Sequence, residues 1–360
     1  MSKYFSKRHT GLAPYVPGEQ PRGGFIKLNT NEAPYPPAPA VLDTLNPGAA
    51  SCLNLYPDPD GTALRAKLAA YHGVDSCNIV LGNGSDETLA FIFLAFFDGS
   101  HGVAFPDVTY GLYPVLASLF NIPYTRIPVG DTLDVNVEDY IGIDRNIVLA
   151  NPNAQTGIAL HIGEIERIAG TNPNRVVVID EAYADFSGFS AIPLTGTYEN
   201  LVVVRTYSKS RFMAGARLSY AIGDSSLIAD IETVRRSYNP YNINSVTLAA
   251  GEAAIDCGDY YTEHWRRITN TRDRTALAMR ALGFTLTDSS ANFLFARNRD
   301  IPGAEIFGRL REGGILVRRF DSPERISDWL RITVGTEGQM EALIRALESI
   351  VKRGGAYAKK

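Results

Sequence analysis

Cysteine is scarce and scattered, with Cys52, Cys77 and Cys257 the only three in 360 residues. An odd, unclustered set builds neither a disulfide framework nor a zinc site, and it suits a reducing, cytoplasmic compartment. Long apolar runs are missing too. The strongest, Leu89 to Phe97, falls far short of the roughly 20 residues that cross a bilayer. Lys3, Lys7 and Arg8 are followed by no apolar stretch, so neither export nor membrane insertion is expected. Charge of one sign is also wanting: 35 Lys and Arg against 39 Asp and Glu leave a formal −4. That balance gives no electrostatic reason to bind nucleic acid or an acidic membrane, and it points to small molecules or a second copy of the chain as partners. The five histidines have no metal-ligand spacing and no acid placed for a triad, so no metal is expected. Repeats and low-complexity tracts are absent.

What is present, from about residue 78 to 222, is an alternation of short apolar runs with helical patterns. The runs Asn78–Leu81, Gly102–Phe105, Ile147–Ala150, Arg175–Asp180 and Leu201–Arg205 are largely apolar on successive residues, as strands covered on both faces should be. Helical spacing falls at Thr62–His72, Ser85–Phe97, Tyr110–Phe120 and Gly163–Ala169. This predicts an α/β fold with a doubly wound, mostly parallel sheet. Beyond it a helix over Asp259–Leu282, strands at Phe293–Ala296, Ile315–Val317 and Leu330–Val334, and helices at Ala304–Arg311 and Gln339–Lys352 predict a smaller α/β C-terminal domain. The expected division is an N-terminal arm over 1–33, a large domain over 34–258 opened by the stiff stretch Pro34–Pro39, and a small domain over 259–360. Its tail is expected to fray from Gly354-Gly355.

The residues that carry chemistry gather around Lys209. It follows a Val-rich strand in Thr206-Tyr207-Ser208-Lys209, with Arg217 eight residues on. Upstream, Val176-Val177-Val178-Ile179 delivers Asp180-Glu181-Ala182-Tyr183, a carboxylate and a phenol at the end of a buried strand. Gly82-Asn83-Gly84-Ser85-Asp86-Glu87 joins a strand to a helix, where exposed backbone N–H groups can hold phosphate. Alone, each has a plainer reading, as a solvated lysine, a turn-capping acid and a helix cap. In this order they supply an amine for an aldehyde, an anion for a ring nitrogen and donors for a phosphate, the needs of pyridoxal 5′-phosphate. The glycines lack dinucleotide-fingerprint spacing, which argues against a nicotinamide dehydrogenase. Arg331, among Leu330, Ile332 and Val334, can grip a carboxylate or phosphate with two parallel hydrogen bonds.

With these stand Leu12-Ala13-Pro14-Tyr15-Val16-Pro17-Gly18, Lys27-Leu28-Asn29-Thr30-Asn31-Glu32, Tyr56-Pro57-Asp58, Asn151-Pro152-Asn153 with Thr156-Gly157, and Leu330-Arg331-Ile332-Thr333-Val334-Gly335-Thr336. On that ordered set the chain resembles the fold-type I aminotransferases, and among them the histidinol-phosphate aminotransferase family, nearly end to end. The resemblance implies a homodimer that carries pyridoxal 5′-phosphate on Lys209 as a Schiff base and moves an amino group between L-histidinol phosphate and 2-oxoglutarate. Lys209 would also be the base at the substrate's Cα, with Asp180 on the ring nitrogen and Tyr183 on the 3′ oxygen. Gly84, Ser85, Asp86, Ser208 and Arg217 would surround the phosphate, Thr206 would bind the cofactor beside them, Tyr110 would stack on the ring, and Tyr56 would reach the other subunit's phosphate. The arm would pack with the small domain and the partner. Tyr15, Asn29, Tyr110, Arg318 and Arg331 would meet substrate, Arg331 gripping glutamate's carboxylate in one half-reaction and the donor's phosphate in the other.

Two departures stand out. Where the family reads Asn-Pro-Asn-Asn-Pro-Thr-Gly, Ala154 replaces the second asparagine, leaving the 3′ oxygen to Asn153 or to Tyr183 alone. Arg319 adds a charge near the anion site, either favouring a doubly charged group or facing solvent. An aromatic amino-acid aminotransferase and a threonine-phosphate decarboxylase are rivals on the same fold. A regulatory binding protein on this scaffold would need an added basic helix-turn-helix and would tolerate loss of Lys209 or Asp180, and the sequence meets neither condition.

Overall fold

The computed structural model describes residues 2–21 and 23–357, without the side chains from 353 onward. After a short β1 (Ile26–Lys27) come β2 (Ile79–Gly82), β3 (Val103–Pro106), β4 (Tyr124–Ile127), β5 (Asn146–Ala150), β6 (Val177–Asp180), β7 (Leu201–Thr206) and β8 (Ser219–Gly223). The last seven form one sheet in the order β2-β8-β7-β6-β5-β3-β4, with β8 antiparallel to both neighbours and every other pair parallel. All but β4 are buried along their whole length, which is why their sequences read as unbroken apolar runs.

Because β8 reverses twice, the C-terminal ends of β2, β3, β5, β6 and β7 emerge on one edge. Ligands of open α/β sheets bind outside the carboxyl ends of strands. The helices expected at Thr62–His72 and Ser85–Phe97 form over Thr62–His72 and Ser85–Phe96, while the one expected from Tyr110 begins at Leu112, leaving Tyr110 in the loop before it. β4, β8 and the helices Ser225–Tyr238 and Ser245–Asp256 are additions to the expected set.

The chain's last third builds β9 (Phe284–Leu286), β10 (Phe293–Asn298), β11 (Ile315–Leu316), β12 (Arg318–Arg319) and β13 (Leu330–Thr333). Four of these make an antiparallel sheet, β12-β13-β10-β9, and β11 pairs in parallel with β1. Leu28, just past β1, is buried in a core with Met279, Leu294, Ile306, Leu330 and Leu343. The long helix Gly258–Ala281 serves two cores, with Tyr261 and Ile268 in that of the large sheet and Ala276 and Met279 in that of the small one. The final helix continues to Tyr357, past the Gly354-Gly355 pair where fraying was expected, and 358–360 lie outside the described residues. No helix among the described residues is long and apolar enough to cross a membrane.

Candidate active site

The C-terminal strand edge opens into a cavity of about 270 Å³ whose walls include Tyr15, Asn29, Ser85, Asp86, Tyr110, Asp180, Tyr183, Thr206, Ser208, Lys209, Arg217, Arg318 and Arg331. Residues scattered over more than 300 positions of sequence thus face one space.

Lys209 is placed by the end of β7. The Thr206 hydroxyl accepts the Ser208 N–H at 3.1 Å and starts a one-turn helix, Tyr207–Ser210, that sets the amine against the arm, where Nζ donates to the Thr30 carbonyl at 3.2 Å. Burial, and then the positive charge of Arg331, lower its pKa to about 8, so the neutral amine is accessible near physiological pH. Asp180 ends β6 and is 4% exposed. Tyr113 Oη donates to its Oδ2 at 2.8 Å and the Ala182 N–H to its Oδ1 at 3.2 Å. Burial outweighs these bonds and raises the carboxyl to about 6. A cationic partner would restore its charge. Tyr183 is buried, and its hydroxyl accepts a hydrogen bond from Asn31 Nδ2 at 3.0 Å.

The phosphate corner is built at the start of the helix Ser85–Phe96, where Ser85 and Asp86 line the cavity and Asp86 and Glu87 place acids in the first turn. Gly84 sits at φ +82°, and a Cβ there would stand inside the guanidinium of Arg217. Arg217, itself at φ +56°, donates from Nη2 to Asp86 Oδ2 at 2.8 Å. Tyr110 Oη donates to the other oxygen of Asp86 at 2.8 Å.

Across the cavity Arg331 donates from Nη1 to the Ala154 carbonyl at 2.8 Å and lies over the rings of Phe293 and Phe320 at 5.5 and 5.3 Å, with Nε unpartnered. Arg318, its register partner across β12 and β13, donates to the carbonyls of Val16 and Pro17. No carboxylate among the described residues pairs with either.

Three of the residues named from the sequence do not line this chain's cavity. Asn153 does not line the cavity: its Oδ1 accepts the N–H groups of Gln155 and Thr156 and its Nδ2 donates to the Val108 carbonyl, so its side chain holds the turn and Ala154 faces the space instead. Tyr56 is 81% exposed, stacked on Tyr241 at 4.5 Å, and outside this chain's cavity. Arg319 turns away, bonded to the Ser327 carbonyl at 2.8 Å and Asp321 at 2.5 Å. Sequence reasoning passed over Tyr113 and Asn31. Tyr113 stands three residues after Tyr110 and Asn31 inside the Lys27–Glu32 motif, but nothing local ties either to its partner. Also unforeseen is a buried ionic cluster behind the Lys209 turn: Arg205 joins Glu181 at 2.9 Å and Asp185 at 2.5 Å, and Arg211 lies over the rings of Tyr71, Tyr261 and Trp265.

Residues 24–347 match the model of the family "Aminotransferase class I and II". The chain belongs to that family. As an aminotransferase it is 45% identical to histidinol-phosphate aminotransferase 2 of Thiobacillus denitrificans over 97% of this chain and 98% of that one. It is 46% identical to histidinol-phosphate aminotransferase of Chromohalobacter salexigens over 98% and 100%. In fold it resembles the crystal structure of histidinol-phosphate aminotransferase from Sinorhizobium meliloti in complex with pyridoxal-5′-phosphate, with a TM-score of 0.83, 24% identity and 91% of each chain covered.

The cofactor of this aminotransferase is pyridoxal 5′-phosphate, and the cavity fits it. Gly84 and Arg217 leave a cradle that a side chain would fill, Asp180 is a buried acid short of a cation, and Lys209 is a buried amine whose partner is a single carbonyl.

Proposed function

We propose that the enzyme transfers an amino group from L-histidinol phosphate to 2-oxoglutarate, as a cytoplasmic homodimer. The observation that carries this reading is the pair Arg331 and Arg318, two guanidinium groups on the cavity wall with no carboxylate partner among the described residues. Such a seat asks for an anion with paired oxygens. Glutamate's carboxylate and the phosphate of histidinol phosphate both satisfy it, and the names of the relatives at 45 and 46% identity agree.

Pyridoxal 5′-phosphate, when bound, supplies the electron sink that stabilises negative charge at the substrate's Cα. The chain's residues do the rest. In this reading Ser85, Asp86, Ser208 and Arg217 hold the cofactor's phosphate with backbone N–H, hydroxyl and guanidinium groups. Asp180, oriented by Tyr113, keeps a proton on the pyridine nitrogen. Tyr183, oriented by Asn31, meets the 3′ oxygen without help from Asn153. Lys209 Nζ takes the proton from the donor's Cα, a task suited to an amine lowered to about 8. Tyr15 and Tyr110, ring centroids 5.7 Å apart, wall off the donor from solvent. The same reading takes residues 1–33, 34–258 and 259–360 as arm, cofactor-binding domain and small domain.

The test is a panel of donors, histidinol phosphate, phenylalanine and tyrosine, with 2-oxoglutarate as acceptor, run on wild type and Arg331→Lys. Histidinol phosphate should be turned over fastest. The lysine variant, which keeps the charge and loses the fork, should weaken both half-reactions by roughly 1 to 3 kcal/mol. Faster wild-type turnover of phenylalanine would move the assignment to an aromatic aminotransferase.

A further inference from the structure

A second cavity of about 460 Å³ adjoins the first and shares Tyr15, Tyr110, Arg318 and Arg331 with it as common wall. One side is the arm from Gly11 to Val16, and another is the edge strand β4, which contributes Arg126. Among the described residues, three guanidinium groups line this outer chamber and no carboxylate does. Arg126 is exposed and lies over the ring of Tyr124 at 5.7 Å, with no hydrogen bond or ion pair to another described residue. Two buried atoms of the same walls that can donate a hydrogen bond also lack partners, Thr109 Oγ1 and Arg331 Nε. Buried polar atoms are nearly always satisfied. Two unpartnered donors beside three guanidinium groups on one chamber's walls suit a ligand that is polar and negative.

We propose that the outer chamber is an anion antechamber, in which Arg126 first holds the phosphate or carboxylate group of an incoming substrate before Arg331 and Arg318 receive it. A cleft lined by one sign of charge between low-dielectric walls concentrates the opposite charge and raises its rate of encounter. Arg126 is suited to the first contact because it is exposed at the sheet's edge while Arg331 is deep, and because no acid competes for it. Arg331 and Arg318 line both cavities, so an anion held first at Arg126 has its next guanidinium partners on the same chamber's wall. The antechamber rests on the proposed amino-transfer reading only for the identity of the molecule that carries the anion.

The holoenzyme is titrated with inorganic phosphate by calorimetry, and its kinetics are compared for histidinol phosphate and its uncharged-side analogue L-histidinol, which lacks the phosphate. Arg126→Gln should weaken phosphate binding by about fivefold, the scale of an exposed charge contact. It should lower kcat/KM for histidinol phosphate by a similar factor, mostly through KM, with a smaller loss for L-histidinol and a shallower decline with ionic strength. A weaker apparent affinity confined to the oxo-acid acceptor assigns the chamber to the carboxylate rather than the phosphate. Phosphate binding equal in wild type and variant with the acceptor's KM also unchanged, or equal non-zero losses with both donors, overturns the antechamber. If wild type turns over neither donor, the donor assignment has failed, and the phosphate titration still decides the role of Arg126.

Discussion

Asp180 is a carboxylate on the cavity wall with only 4% of its surface exposed, and its position has a price when the cofactor is absent. Its pKa in the fold is about 6 against an ordinary 3.8, so between those values the folded state holds a proton that the unfolded chain has released. Stability therefore falls as pH rises through that window, and the penalty is complete above about pH 6. A shift of this size corresponds to about 3 kcal/mol at pH 7. Asp180→Asn removes the ionisable group, so the cofactor-stripped variant should melt higher than stripped wild type at pH 7, with the advantage gone near pH 4. The same substitution should slow turnover of the loaded enzyme, because the pyridine nitrogen loses its anion. A stripped variant that melts lower than wild type at pH 7 would mean that Asp180 is structural, its bonds to Tyr113 and Ala182 worth more than its burial costs.

Among the elements, the ends of β6 and β7 are tied by Arg205, whose guanidinium meets Glu181 and Asp185, with none of the three side chains more than 9% exposed. Removing one partner of such a cluster strands the others as uncompensated charges, typically at about 3 to 5 kcal/mol. Arg205→Met should thus lower the unfolding free energy of the holoenzyme in urea by that order, and a loss below about 1 kcal/mol would show Glu181 satisfied by its bonds from Ser190 and Ala191 instead. The central strands are legible in the sequence because burial on both faces demands apolar residues at every position. β4 is not, since an edge strand with Tyr124 and Arg126 exposed offers no such run. The helix Ser245–Asp256 escapes notice because it buries small residues, Ala250, Gly251 and Ala254, that mark its inner face weakly. At the site, Lys209, Asp180 and Arg217 are legible because each sits in a short motif at a strand end or loop. Their supports are not: Tyr113 meets Asp180 across 67 positions and Asn31 meets Tyr183 across 152, distances over which local pattern carries no signal.

For the whole molecule, the exposed pair Tyr56 and Tyr241 stands outside its own chain's cavity, consistent with service to a neighbour. Lys209→Ala and Tyr56→Phe, each impaired alone, should then recover up to about half of wild-type activity per heterodimer when mixed, because one of the two sites carries both defects and the other neither. No recovery in confirmed heterodimers would assign Tyr56 to its own subunit.

The Asn31 N–H donates to Thr333 Oγ1 across 302 positions, and Asn31 in turn steadies Tyr183. On a ribosome adding about 5–20 residues per second, the arm would wait roughly 15 to 60 s for that partner to be synthesised. Over that interval Ile26 and Leu28 have no β11 or small core to cover them. The large sheet can fold as it emerges, but the wall that carries Tyr183 is fastened only after nearly the whole chain has been made, so a nascent chain stalled before β13 would hold Lys209 and Asp180 in a site still open on one side.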